Sequence, residues 1–112
     1  MDDCIFCKIA RAEIPSKKVY EDSEIFAFHD IHPQAPVHFM IIAKKHIASL
    51  AEAGAEDAGV LGRMLALSGR LAREQGSPDG YRTIINTGPD GKQEVYHLHM
   101  HVMGGPRPWA KG

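Results

Sequence analysis

The sequence predicts an α+β fold: a five-stranded antiparallel sheet with one long and one short helix, the long helix covering one face. Three observations lead there. Five short runs have strand character, one long segment has helical period, and several connections between the strand-like runs are short and tight, as antiparallel neighbours allow.

In chain order, residues 4–10 form a short apolar segment, read as a short helix ended by the Ile14-Pro15 turn, because proline disfavours helix at the residue before it. Val19–Glu21 and Ile25–His29 read as strands around the turn Glu21-Asp22-Ser23, and Val37–Ala43, rich in apolar and β-branched residues, reads as a third. Between them, Asp30-Ile31-His32-Pro33-Gln34-Ala35-Pro36 is expected to be a fixed, extended loop, since its prolines lock the backbone and exclude helix. From Ala55 to Gln75 the period changes. Leu61, Met64, Leu65, Ser68, Leu71 and Ala72 recur at intervals of three and four, which marks an amphipathic helix packed on the sheet. Glu56 and Asp57 at its start and Arg70 and Arg73 near its end suit the helix dipole, and Gly76 suits a C-terminal stop.

Tyr81–Thr87 reads as the fourth strand, Thr87–Lys92 as a turn built on Gly-Pro-Asp-Gly, and Val95–Met103 as the fifth strand, stopped by Gly104-Gly105-Pro106. Period two places His38, Met40 and Ile42 on one face of the third strand, and Arg82, Ile84 and Asn86 on one face of the fourth. His38 and Asn86 would then flank the last strand.

That strand carries the most informative pattern in the chain. His97, His99 and His101 alternate with Leu98, Met100 and Val102, so three imidazoles would line one face opposite an apolar one. Imidazole exchanges its proton near neutral pH, acts as a nucleophile, and is the commonest metal ligand. The row therefore fits phosphoryl chemistry, a catalytic zinc with an open fourth position, or a solvated strand face.

Cys4 and Cys7 are the two cysteines, and one Cys-x-x-Cys excludes a disulfide framework. A thioredoxin-like redox pair would follow a strand, and none precedes residue 4. Two ordinary thiols or half of a zinc site remain, the other ligands then coming from among His29, His32, His38, His46, His97, His99 and His101.

The 112 residues suit one domain spanning 1–112. Thirteen Lys and Arg against 14 Asp and Glu give a formal net charge of −1, which argues against nucleic acid as a partner, because that binding rests on many basic contacts to phosphates. No basic leader with a following apolar stretch and no membrane-length apolar run occurs, so a soluble, cytoplasmic protein with no membrane partner is expected.

Gln93-Glu94-Val95-Tyr96-His97-Leu98-His99-Met100-His101, followed by Gly104-Gly105, resembles the histidine-triad signature, His-x-His-x-His with apolar spacers, in the form found in the Hint branch of that superfamily. The resemblance runs through Ile5-Phe6-Cys7-Lys8-Ile9, Glu13-Ile14-Pro15, Ala27-Phe28-His29-Asp30-Ile31, Pro33 to Phe39, Lys44-Lys45-His46, and Gly80-Tyr81-Arg82 to Asn86. The fold it implies is HIT-like, with dimers that join two sheets into one of ten strands.

The activity implied is hydrolysis or transfer at the α-phosphate of a purine nucleoside 5′-phosphoramidate, of AMP or GMP type, through a covalent nucleotidyl-histidine. By match to the motif, His99 is the nucleophile and a backbone carbonyl holds its other N–H. His97 completes the triad, and His38 and His101, with loop amides around Gln93 and Glu94, would face the phosphate. The same match places Asp30 on the ribose hydroxyls and Asn86 near phosphate or ribose. Phe6, Ile9, Phe28, Ile31 and Met40 would wall the base pocket, with Val95 in the nucleotide-binding loop. No cofactor is implied for catalysis.

Some relatives beginning Cys-x-x-Cys hold a structural zinc; carried over, its ligands would be Cys4, Cys7, His46 and His97, leaving His99 and His101 free. The chain departs from animal members at Glu94, where they have serine, and His32 stands where serine is common. The tail Pro106 to Gly112 is short, and in Hint dimers the tail reaches toward the partner's site and affects the choice of leaving group. Alternative readings are a diadenosine polyphosphate hydrolase of the Fhit-like branch and a non-catalytic nucleotide- or zinc-binding regulatory module.

Overall fold

Apolar alternation in two strands organises the molecule. In the computed structural model, which describes residues 3–109, β2 (Ile25–His29) and β3 (Val37–Ala43) pair antiparallel with Phe26 opposite Ile42 and Phe28 opposite Met40. Ile25, Ala27, Phe39, Ile41 and Ala43 turn to one face, and Phe26, Phe28, Met40 and Ile42 to the other. Every residue of β3 is buried, as expected for the middle of a sheet covered on both sides.

The remaining strands are β1 (Lys18–Glu21), β4 (Tyr81–Ile84) and β5 (His99–Gly104). The spatial order is β1-β2-β3-β5-β4, and each neighbouring pair is antiparallel. The long helix α2 (Ala58–Glu74) lays Met64, Leu71 and Ala72 on the first face, beside Met100 and Val102 of β5. Truncating a fully buried side chain there, such as Phe39, to alanine costs about 3–5 kcal/mol. The second face is covered too: the short helix α1 (Ile5–Ala10) presses Phe6 and Ile9 onto it. The expected α+β sheet is therefore present, with a helix on each face rather than on one.

Three boundaries and one helix position differ from expectation. The segment read as one helix from Ala55 opens with a 3₁₀ turn, Ala55–Asp57, because the Asp57 carboxylate accepts the Gly54 N–H at 2.9 Å and pairs with Lys45, which tightens the first turn. Within α2, Leu65 is 54% exposed, at the margin of the apolar stripe. β4 ends at Ile84 instead of Thr87, its last partner being His101.

The largest change is at β5, which begins at His99 and not at Val95. The carbonyl of Ala43, at the end of β3, accepts the His97 Nε2–H at 2.8 Å, while the Leu98 amide donates to Ile47 at 2.7 Å. With these groups engaged outside the sheet, the chain bends through 95–97. Leu98, Met100 and Val102 still alternate into the core. No described helix is long and apolar enough to cross a membrane.

Candidate functional site

The bend before β5 separates the three histidines into two environments. His97 is fully buried beneath α1, whereas His99 and His101, on β5 itself, face the second side of the sheet near His38 of β3. His97 therefore does not share an open strand face with the other two. The reading of the row as a solvated face fails for the same reason: His97 is 0% and His99 6% exposed.

Hydrogen-bond geometry fixes the proton on each ring. The His99 Nδ1–H donates to the His97 carbonyl at 2.8 Å, since a carbonyl can only accept, and this leaves Nε2 with its lone pair. The Gln34 amide donates to His38 Nδ1 at 2.9 Å, so the proton of His38 sits on Nε2. That nitrogen lies 2.9 Å from His101 Nδ1, which must accept, and His101 carries its own proton on Nε2. A directed chain results, running from the Gln34 amide through His38 to the outer nitrogen of His101.

Burial favours these neutral forms. It lowers the pKa of His38, with Asp30 acting in the opposite sense, and it lowers that of His101 to about 4, helped by the neighbouring His99 and His38. Asp30 stands at the loop's start, where its amide donates to the His38 carbonyl at 3.0 Å. Its Oδ1 accepts the His32 amide at 2.7 Å, a turn-forming contact, while Oδ2 lies 3.3 Å from His38 Nε2. Its carboxylate keeps lone pairs for further donors.

A groove of about 540 Å³ opens beside this chain, within the range of small-ligand sites. Asp30, His38, Asn86, Glu94 and His101, all expected at the site, line it. So do His32, Gln34 and Arg82, which were not assigned roles from sequence. Two signals pointed to them: Gln34 lies in the proline-fixed loop before His38, and Arg82 shares the period-two face with Asn86.

Phe6, Ile9, Phe28 and Met40 converge in one apolar cluster, with Val95 packed against it. Phe6 meets His99 edge-on, ring centres 5.1 Å apart, and Phe28 at 5.3 Å. Ile31, expected in the same wall, is 85% exposed and outside that cluster. Gln93 is buried and its side chain faces inward: Oε1 accepts the Gly88 amide at 3.0 Å, and Nε2 donates to the carbonyls of Ala48 and Val95 at 2.8 and 3.0 Å. Its own amide donates to Gly88, so Gln93 braces the loop that presents Glu94 and Val95.

Cys4, Cys7, His46 and His97 each bring one ligand atom to within 4.8 Å of the others. His97 Nδ1 is 3.4 Å from Cys4 Sγ and 3.5 Å from Cys7 Sγ, and His46 Nδ1 is 3.4 Å from Cys7 Sγ. A zinc with bonds of about 2.3 Å to sulfur and 2.0–2.1 Å to nitrogen has sulfur–nitrogen edges of about 3.5 Å, so the four atoms fit a tetrahedral ion. The Ala43 carbonyl holds the His97 proton on Nε2 and leaves Nδ1 free to ligate. Burial, then the contact with Cys4, pushes the Cys7 thiol up, so holding it as a thiolate calls for a cation. Asp30, His38 and His101 also cluster, but there the facing nitrogens bond to each other.

A central antiparallel sheet that carries a tautomer-fixed histidine pair on one strand and an apolar, aromatic wall beside it defines the histidine-triad class. Comparison with known sequences agrees: residues 11–107 match the HIT domain model, and the chain belongs to that family. It is 52% identical to the protein HitA of Neisseria gonorrhoeae over 106 residues, 95% of this chain and 99% of that one. It is 48% identical to the purine nucleoside phosphoramidase of Escherichia coli K12 over 105 residues, 93% of this chain and 88% of that enzyme. A solved zinc-bound histidine triad family protein from Mycobacterium smegmatis is similar in structure, with a TM-score of 0.80 and 32% identity over 92% of this chain and 75% of that one.

Proposed function

We propose that the protein cleaves the P–N bond of purine nucleoside 5′-phosphoramidates through a covalent nucleotidyl-His99 intermediate. The observation that carries this reading is the 2.8 Å hydrogen bond from His99 Nδ1 to the His97 carbonyl, which leaves a directed, unprotonated Nε2 beside the groove residue His101. The similarity to a purine nucleoside phosphoramidase supports the substrate class.

In the first step the His99 Nε2 lone pair attacks the α-phosphorus, the P–N bond breaks, and the amine departs with a proton from water in the open groove. The imidazolium formed keeps its Nδ1–H on the His97 carbonyl, which stabilises the new charge. In the second step a water, giving its proton to the hydroxide left by the first, attacks the same phosphorus, the N–P bond breaks with its electrons returning to Nε2, and the nucleoside monophosphate leaves. His101 Nε2–H, held by the His38 chain, and the Glu94 and Val95 amides of the braced loop offset the phosphoryl charge. Phe6, Ile9, Phe28 and Met40 accept the purine, with the exposed Ile31 free to lie against it. Asp30 takes the ribose hydroxyls on its remaining lone pairs, and Asn86 lies within reach of ribose or phosphate.

We also assign a structural zinc to Cys4, Cys7, His46 and His97, supported by the sulfur–nitrogen spacings and the zinc-bound relative. Such an ion, closed by four protein ligands, supplies no catalytic chemistry. Two free thiols kept as ligands accord with a reducing, cytoplasmic location. A homodimer through β4 is the assembly we favour: β4 is a sheet edge, and Tyr81 on it and Leu65 of the adjoining helix are 38% and 54% exposed. Joining two β4 edges would give one ten-stranded sheet.

The test is AMP release from an adenosine 5′-phosphoramidate by wild type and His99→Ala, with intact-mass analysis of rapidly quenched wild type. Loss of turnover in the variant by several powers of ten, with an acid-labile nucleotidyl adduct on wild type, is the expected result. Tight AMP binding without turnover by wild type would make the chain a binding module. Faster cleavage of diadenosine polyphosphates would reassign the substrate.

A further inference from the structure

The metal-binding cluster and the nucleotide site are built from the same pieces of chain. His97 presents Nδ1 to both cysteines at 3.4 and 3.5 Å, while its carbonyl, two bonds of backbone away, holds the proposed nucleophile at 2.8 Å. The ring is clamped between the cysteines on Nδ1 and the Ala43 carbonyl on Nε2, and the Leu98 amide beside it is held by Ile47, so the ring and the bend that carries this carbonyl are braced by the same contacts.

The cysteines bear on the base wall in the same way. Cys4 and Cys7 bracket Phe6, and Cys4 caps α1 by accepting the Cys7 amide at 3.4 Å. A helix of six residues does not persist by its own backbone bonds and depends on tertiary anchors. Besides its apolar packing, the thiol contacts to His46 and His97 tie α1 to distant parts of the chain. Phe6 in turn touches His99 and Phe28 edge-on, at 5.1 and 5.3 Å. One four-residue centre thus anchors the base wall from one side and the nucleophile from the other.

We propose that metal occupancy of the Cys4-Cys7-His46-His97 centre and nucleotide binding are reciprocally coupled, so that a filled centre tightens the nucleotide site and a bound nucleotide tightens the hold on the metal. This rests on the nucleotide reading given above. Cys4, Cys7 and His46 are positioning residues: they act through α1 and the bend, and touch neither the substrate nor the reacting phosphorus. Thermodynamic linkage requires the two effects to be equal in size. A metal that acts only by keeping the chain folded is set apart by comparing forms that are all folded, since between them it would leave AMP affinity unchanged.

The experiment starts from the zinc-loaded full-length protein. Its zinc affinity is measured by competition with a chromophoric chelator, with and without saturating AMP, and AMP affinity is measured by calorimetry before and after zinc removal. The expected result is a gain in zinc affinity of at least about fivefold with AMP and an equal loss of AMP affinity on zinc removal. In His46→Ala, whose substitution lies outside the nucleotide site, AMP binding should be weakened to the level of the stripped wild type, and chelator should have no further effect. Circular dichroism of each form establishes that it is folded.

Zinc affinity unmoved by AMP, with AMP bound equally by the loaded and stripped protein, overturns the coupling and leaves the nucleotide reading standing. No AMP binding by the zinc-loaded protein overturns the nucleotide reading and the coupling with it. Failure to hold one zinc per chain also overturns the coupling.

Discussion

His38 Nε2 lies 2.9 Å from His101 Nδ1, and the Gln34 amide lies 2.9 Å from the other nitrogen of His38, so the buried His38 and the partly buried His101 are held as one directed proton-donating chain. Removing the middle of that chain frees His101 to carry its proton on either nitrogen. His38→Ala is expected to lower kcat by about 10²–10⁴-fold, with a smaller change in KM. His101→Ala should cost a similar factor, and the double variant much less than the product of the two, because both act on the same donor. Steady-state kinetics of the three variants measure this; full additivity would mean the rings act separately.

Acid should weaken this protein in a defined window. His101 has its pKa lowered from 6.5 to about 4, chiefly by burial, so the unfolded chain takes up a proton that the folded chain refuses. The folded pKa is depressed, hence stability rises with pH across roughly 4 to 6.5 and is flat above it for this group. His38 is shifted the same way, so the two add in sign. The contribution of His101 is at most about 3 kcal/mol. Denaturant unfolding at pH 7, 5.5 and 4.5 tests the slope, which should become shallower in His101→Ala. What remains is the share of His38 and of His97, whose pKa burial lowers too, and at the acid end that of the ion-paired carboxylates of Glu13, Glu21 and Asp57.

Gln93 tests the loop brace. Its side chain satisfies the Gly88 amide and the carbonyls of Ala48 and Val95, so Gln93→Ala leaves three backbone groups without that partner. A loss of about 2–4 kcal/mol is expected, seen as a fall in Tm of about 10 °C or more. AMP affinity should fall with it, since the Glu94 and Val95 amides lose their support. Weakened AMP binding at unchanged Tm would instead mean that the side chain turns to contact the nucleotide directly.

Much of this architecture was legible in the sequence because hydrophobic alternation and period are local signals. The bounds of β3 at Val37 and Ala43 and the apolar stripe of α2 follow from patterns within one element. The start of β5 was not legible, since it depends on which donor takes the Ala43 carbonyl, and the answer, the His97 ring, is a contact between distant parts of the chain. The same limit applied to Gln34 and Gln93. Their chemistry lies in a backbone amide on one histidine nitrogen and in three bonds turned inward, and neither leaves a pattern in residue types. The ligand set Cys4, Cys7, His46 and His97 came from family resemblance and not from spacing, because seven histidines offered too many ways to complete a tetrahedron.

Asp30 separates binding from protonation. Its Oδ1 accepts the His32 amide, its Oδ2 lies 3.3 Å from His38 Nε2 and 3.8 Å from His101 Nδ1, and its remaining lone pairs are proposed to take the ribose hydroxyls. Asp30→Asn keeps the Oδ1 acceptor but places an amide donor where a carboxylate stood, facing the His38 N–H. KM should rise about tenfold or more as the ribose loses a charged acceptor. The charge of Asp30 also raises the pKa of both His38 and His101, so its loss makes each harder to protonate. The acid limb of kcat against pH should therefore move to lower pH in the variant even though activity at pH 7 is reduced. A limb that stays fixed while KM rises would place Asp30 on the ribose alone and assign the acid limb to another group, and one that moves upward would overturn the electrostatic argument.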